Sequence, residues 1–168
     1  SPAFLLAITF FPACHTPQAP AEVKIAIPSL EDWQKTRQHP ATDLNALLVE
    51  MERYQTDYQT QTAYWALYGE CSLAKAAQEM AQGRTQGLEI LHADAMRAFR
   101  VAAQLEPRNA QHWWLIAYTA RQMGDSLTAW EAAQQASRFL TTETLWAGQI
   151  REEIGRAGLA MVMAAVQS

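Results

Sequence analysis

The sequence predicts an all-α protein assembled from antiparallel helix pairs. Three observations carry that expectation. Ala and Gln are abundant and β-branched residues sparse, and Ala and unbranched side chains lose little freedom on entering a helix. Apolar residues recur at three- and four-residue spacing through most of the chain after residue 43. Three of the 7 glycines, Gly83, Gly87 and Gly124, together with Pro28, Pro40 and Pro107, fall where these periodic runs stop. At 168 residues the chain suits one domain, and 49% apolar residues supply its core. With 13 Lys and Arg against 17 Asp and Glu, the net charge is −4. That balance argues against nucleic acid as a partner, because phosphate binding needs a basic face that displaces counterions.

Residues 1–14 read as a targeting segment rather than as fold. The largely apolar run 3–11 (AFLLAITFF) is too short for a bilayer, which takes about 20 residues. It has the length of a signal-peptide apolar region, and the basic start expected ahead of it is missing, as in a truncated segment. Phe11-Pro12-Ala13-Cys14 resembles a bacterial lipoprotein processing site, with Phe11 where Leu is usual and an unusual Pro12. The resemblance implies lipid on Cys14 and a chain tethered to the outer or inner membrane, facing the periplasm. An ordinary secretory signal, or a short strand or helix packed on the domain, are the alternatives. Residues 15–28, with Pro17, Pro20 and Pro28, form a Pro-rich tether, and 29–168 form the helical domain.

Within that domain, Ser29 and Asp32 suggest an N-cap for a short helix through Gln38, stopped at His39-Pro40. Thr42 or Asp43 caps a helix expected over 43–58, with Leu44, Leu47, Leu48, Met51, Tyr54 and Tyr58 on one stripe. A polar turn at 56–62, with a continuous helix as the alternative, leads to a helix over 62–82 carrying Trp65, Tyr68, Cys71, Ala74 and Met80, ended by Gly83 to Gly87. The next helix, 88–105, presents Leu88, Leu91, Ala95, Phe99 and Ala102 on one face and stops ahead of Pro107. Helices at 110–123 and 126–140, broken by Gly124-Asp125, read as an antiparallel hairpin, with Trp113, Ile116, Ala117 and Ala120 facing Ala129, Ala133 and Ala136. A last helix, 143–165, carries Leu145, Trp146, Gln149, Ile150 and Ile154 on one stripe, and residues 159–166 (LAMVMAAV) are apolar on most sides. That end reads as a cap on the array or as a docking surface for a partner subunit.

Residues 94–140 resemble tetratricopeptide repeats. Ala95, Phe99, Ala102 and Pro107 match the second helix and closing Pro of one unit, and Trp113, Ile116, Ala117, Gly124, Asp125, Ala129 and Ala136 match the next. Ala133 stands where the family has a large aromatic, Thr141 stands where it has the closing Pro, and residues 83–92 carry an insertion. The resemblance implies helix pairs stacked as a short superhelix with a C-terminal capping helix, and the six helices from 43 onward supply the three pairs such an array needs. It also implies a concave groove lined by the first helix of each unit. Carried onto this chain, the groove residues are Gln111, Trp114, Tyr118, Arg121 and Gln122, opposite the core face of the same helix. Trp, Tyr and Arg dominate binding hot spots. The competing role for Trp114 is packing against the neighbouring helix pair.

Chemical motifs are sparse. Glu89 and His92 have the Glu-x-x-His spacing of di-iron bundles, but that site needs a second copy and two further carboxylates, and the sequence holds no second copy. Asp94 with Arg97, and Glu152 with Arg156, have the spacing of helical ion pairs. No phosphate loop, dinucleotide fingerprint, metalloprotease helix or serine-nucleophile elbow is present. With Cys14 lipidated, Cys71 is left as a small apolar residue in a helix; with both thiols free in an oxidising compartment, the two could pair. The resulting expectation is a non-catalytic scaffold with no cofactor, tethered in the bacterial envelope and binding a protein or peptide, as an accessory to pilus, secretion or outer-membrane assembly machinery. A soluble helical adaptor or chaperone without lipid, and a metal-binding bundle enzyme, are the alternatives.

Overall fold

A computed structural model describes residues 26–141 and 146–167; the targeting segment, Cys14 and most of the tether lie outside them. The described residues form seven α-helices and no strand: α1 (Leu30–Gln38), α2 (Leu44–Arg53), α3 (Thr62–Ala81), α4 (Leu88–Leu105), α5 (Ala110–Gln122), α6 (Ser126–Phe139) and α7 (Ala147–Gln167). The fold is all-α, with helix pairs packed on one another. α3 pairs with α4 and α5 with α6; α4 packs on α5, and α7 rests on both α5 and α6.

Local chemistry sets the helix ends. Ser29 and Asp32 close a reciprocal capping box at α1, with the Asp32 amide donating to Ser29 Oγ at 3.1 Å and the Ser29 amide to Asp32 Oδ2 at 3.3 Å. Asp43, rather than Thr42, caps α2, and Asn109 and Asp125 cap α5 and α6. Gly83 and Gly124 end α3 and α5 at φ 71° and 77°. At each, the residue after the glycine donates back into the last turn, Arg84 to Glu79 O and Asp125 to Ala120 O, both 2.9 Å. Asp125 thus closes one helix with its amide and opens the next with its carboxylate, which accepts from the Thr128 amide at 3.0 Å. That double use makes the α5–α6 connection tight.

α2 is shorter than the expected 43–58: it stops at Arg53, and residues 54–60 are turns. The apolar periodicity continues through Tyr54 and Tyr58 because both rings still reach the core. Tyr58 stacks on Tyr64 at 5.5 Å and lies 5.3 Å from Trp33, and its hydroxyl donates to Pro28 O at 2.5 Å. Tyr64 and Tyr68 donate to Met51 O and Glu52 Oε1 at 2.8 and 2.6 Å. Burial, reinforced by Glu52, pushes the Tyr64 phenol up to about 12. This aromatic cluster locks α1, α2 and the turns onto α3, with the Tyr58, Tyr64 and Tyr68 hydroxyls and the Trp33 and Trp65 indole N–H groups hydrogen-bonded.

The remaining core is built largely of alanine. Ala95, Ala117, Ala120, Ala129, Ala132, Ala133 and Ala157 are buried together around Phe99 and Ile116. Small side chains let helices approach closely, and where a ring must fit, glycine makes room. Gly69 of α3 faces the Phe99 ring, and Gly158 of α7 lies against Trp130. Met80, placed on the α3 stripe by its spacing, is instead 50% exposed in the last turn of that helix. Cys71 is free and fully buried, and burial pushes its thiol up to about 11, in keeping with a packing role.

α7 divides into two halves. Ile150, Glu153 and Ala157 are buried against α5 and α6, and among the described residues none after Ala157 is buried. The expected start at 143 and Leu145 of its stripe fall outside the described residues; among those described the helix begins at Ala147, and Trp146 lies just ahead of it rather than on its stripe.

Candidate functional site

α3 and α5 present matching stripes to a common cleft of about 390 Å³. From α3 come Glu70, Leu73, Ala74 and Ala77; from α5 come Gln111, Trp114, Leu115 and Tyr118. Both sets have i, i+3, i+4, i+7 spacing, which keeps one helix face turned in one direction over two turns. Arg37 of α1 and Trp146 ahead of α7 complete the walls. Three of the five groove residues expected from the sequence, Gln111, Trp114 and Tyr118, therefore meet in one place. Trp114 serves both roles weighed for it: it is partly buried against the core and its surface faces the cleft.

The other two do not line this cleft. Arg121 is turned toward α7, where Nε and Nη2 donate to Glu153 Oε1 and Oε2 at 2.7 and 3.1 Å. Glu153 is 3% exposed, so this fork clamps the capping helix to α5. The same guanidinium lies over the Tyr118 ring at 5.7 Å and so fixes one cleft wall from behind. Gln122 is exposed at the end of α5. Sequence spacing placed Arg121 on the correct side of the helix but carried no information on its partner 32 residues later.

The cleft is aromatic and aliphatic with little net charge. Arg37 and Glu70 pair across it at 2.5 Å, with side chains 35% and 27% exposed, which cancels its one cation against its one anion. Trp146 stands 47% exposed with φ 65°, a left-handed backbone rare for a large side chain. The Trp146 backbone carbonyl accepts from the Ile150 amide at 2.9 Å as α7 begins. Trp146, Arg37 and the α3 stripe escaped the sequence reading. The α3 stripe has the same spacing as that on α5 and was legible in principle; Arg37 and Trp146 reach the cleft only through tertiary packing.

Elsewhere, Glu89 is exposed on the first turn of α4 and His92 half-buried one turn later. Among the described residues, no three His, Cys, Asp or Glu side chains come together in a metal-holding group, and no helix is long and apolar enough to cross a membrane. Asp94 and Arg97 pair at 3.2 Å, and Glu152 and Arg156 at 2.5 Å, as their spacing predicts. Neither a protein-family model nor a curated protein matches the chain.

Proposed function

We propose that the chain is a tetratricopeptide-like, non-catalytic scaffold of the bacterial envelope that holds a protein or peptide in the cleft between α3 and α5 and is tethered through lipid on Cys14. The observation that carries this reading is the wall composition. Trp114, Tyr118 and Trp146 offer aromatic surface beside Leu73 and Leu115, and the only charges are already paired. Such a slot accepts an apolar or aromatic side chain of a peptide, and the Gln111 amide supplies a hydrogen-bonding group beside it. Two hairpins, α3–α4 and α5–α6, set the walls, which matches the stacked-pair architecture expected from the resemblance. Service to pilus, secretion or outer-membrane assembly machinery is an analogy at the level of the fold.

The test places a photo-crosslinking residue at Trp114 or Tyr118 of the full chain, expressed in a bacterial host, with Gln134 on the exposed side of α6 as the control position. One crosslinked envelope protein captured from the cleft positions, and lost with Leu73→Glu, is the expected result. Equal labelling from Gln134 would remove the cleft as the binding surface. Intact mass and membrane fractionation beside Cys14→Ser examine the tether: a gain of acyl mass, lost together with membrane association in the variant, is expected, and an unmodified soluble chain would exclude the anchor.

A further inference from the structure

We propose that the C-terminal half of α7 is a homodimer interface, in which two copies of this chain pair antiparallel about a two-fold axis passing between Val162 and Met163. α7 has 21 residues and α6, one of the two helices it rests on, has 14. At about 1.5 Å per residue the difference is about two turns, and burial records it: among the described residues none beyond Ala157 is buried, Gly158, Ala160 and Met161 being half-buried and the rest exposed. On the projecting part, Leu159, Val162, Met163 and Val166 are 64%, 60%, 52% and 80% exposed. Their i, i+3, i+4, i+7 spacing makes one continuous apolar stripe. Such a stripe amounts to an apolar patch of a few hundred Å², the upper end of what a soluble monomer exposes, and patches of that size mark interaction sites.

The pattern of the stripe selects the occupant. A two-fold interface sets the same surface against itself, so the stripe must be self-complementary. Reversed on itself, Leu159 of one copy falls opposite Val166 of the other, and Val162 opposite Met163, so every large apolar side chain meets another. The overlapping residues, 158–167, contain no charge. Arg151, Glu152 and Arg156 fall outside the overlap, so no like charges are brought together. A membrane surface is the poorer match, because interfacial helices carry Lys and Arg along their polar face. This half of α7 carries none, and the nearest cation, Arg156, is paired with Glu152 at 2.5 Å. Two such stripes with their alanine flanks bury on the order of 1,000 Å², the low end of specific interfaces; area does not fix affinity, and a weak dimer in the micromolar range is the expectation. The cleft between α3 and α5 draws on neither stripe, so a dimer displays two clefts and gains avidity for a repeated partner.

Sedimentation velocity of the full chain, made without lipid as Cys14→Ser, tests this across about 1 to 100 µM, the span of such an affinity. The expected result is a monomer–dimer equilibrium. Val162→Glu with Met163→Glu raises its dissociation constant at least about tenfold, while the monomer keeps its helicity, because in the single chain both side chains are already exposed. A second test fixes the register: Val162→Lys and Met163→Glu chains are each weakened alone but form a heterodimer on mixing, since the ammonium then meets the carboxylate across the axis. A monomer throughout, a dimer that the Glu pair leaves intact, a mixture that fails to recover, or a monomer that binds anionic vesicles through these residues would each overturn the proposal.

Discussion

Replacing Gly69 with Ala should destabilise the protein even though it improves the helix. Gly69 lies inside α3, where Ala is preferred over Gly by about 1 kcal/mol. A Cβ at this position, however, would lie 2.5, 2.7 and 2.9 Å from Cε1, Cζ and Cδ1 of Phe99. Carbon atoms pack comfortably at about 3.5–4.0 Å, so the ring must withdraw by about 1 Å. Phe99 is 0% exposed in a core built largely of short alanines from α4, α5 and α6, so the ring has little free space into which to withdraw. Overpacking costs about 1–3 kcal/mol, and an approach this close belongs to the upper part of that range, about 2–3 kcal/mol. Set against the propensity gain, the net loss is about 1–2 kcal/mol, which lowers Tm by about 3–8 °C for a domain of this size. Urea unfolding followed by far-UV circular dichroism measures the loss. Phe99→Leu isolates its cause: the shortened side chain creates a cavity by itself and makes room for the new methyl, so the double variant should be more stable than the sum of the single changes by about 1 kcal/mol. A Gly69→Ala chain as stable as the parent, or strict additivity with Phe99→Leu, would refute the close approach of α3 and α4 at this point.

Two other perturbations probe the capping helix and the α5 entrance. Glu153→Ala strands the Arg121 guanidinium, whose side chain is 25% exposed; partial hydration should hold the loss to about 2–4 kcal/mol, below that of a fully buried pair. Hydrogen exchange should show α7 losing protection first, and Arg121→Met with Glu153→Met should recover most of the stability; uniform loss of protection across all helices would count against a clamp specific to α7. The pH dependence should carry the mark of His112, which is 5% exposed with Nδ1 buried and unpartnered and Nε2 3.3 Å from Glu106 Oε2. Burial lowers its pKa, against the opposing pull of Glu106. The folded state therefore takes up a proton less readily than the unfolded chain, and stability declines as pH falls below the ordinary histidine value of about 6.5. His112→Gln, which keeps a donor toward Glu106, should flatten Tm between about pH 6.5 and 5, above the ordinary carboxylate range; an unchanged slope would assign the effect to other groups.

How far the sequence could be read differs from element to element, for physical reasons. α4 was legible at both ends, because Gly87 and the Glu106-Pro107 pair are local stop signals and the apolar stripe between them has one period. α2 misled, because Tyr54 and Tyr58 keep helical spacing while sitting in turns; long aromatic side chains reach a core from more than one backbone conformation. Gln111, Trp114 and Tyr118 were legible as one face of α5, since helical periodicity is a property of consecutive residues. Arg121 shares that face, yet its role was decided by Glu153, which no local rule connects to it.

The sequence by itself determined the helical class, the positions of the loops and the apolar face of most helices, because propensity, capping and periodicity act over a few neighbouring residues. Tertiary structure alone decided which polar side chains are occupied by distant partners and which remain on the surface. It turned Arg121 from a groove residue into a clamp and brought Arg37 and Trp146 to the cleft. It also left the second half of α7 uncovered, because that helix extends beyond the neighbours that bury its first half.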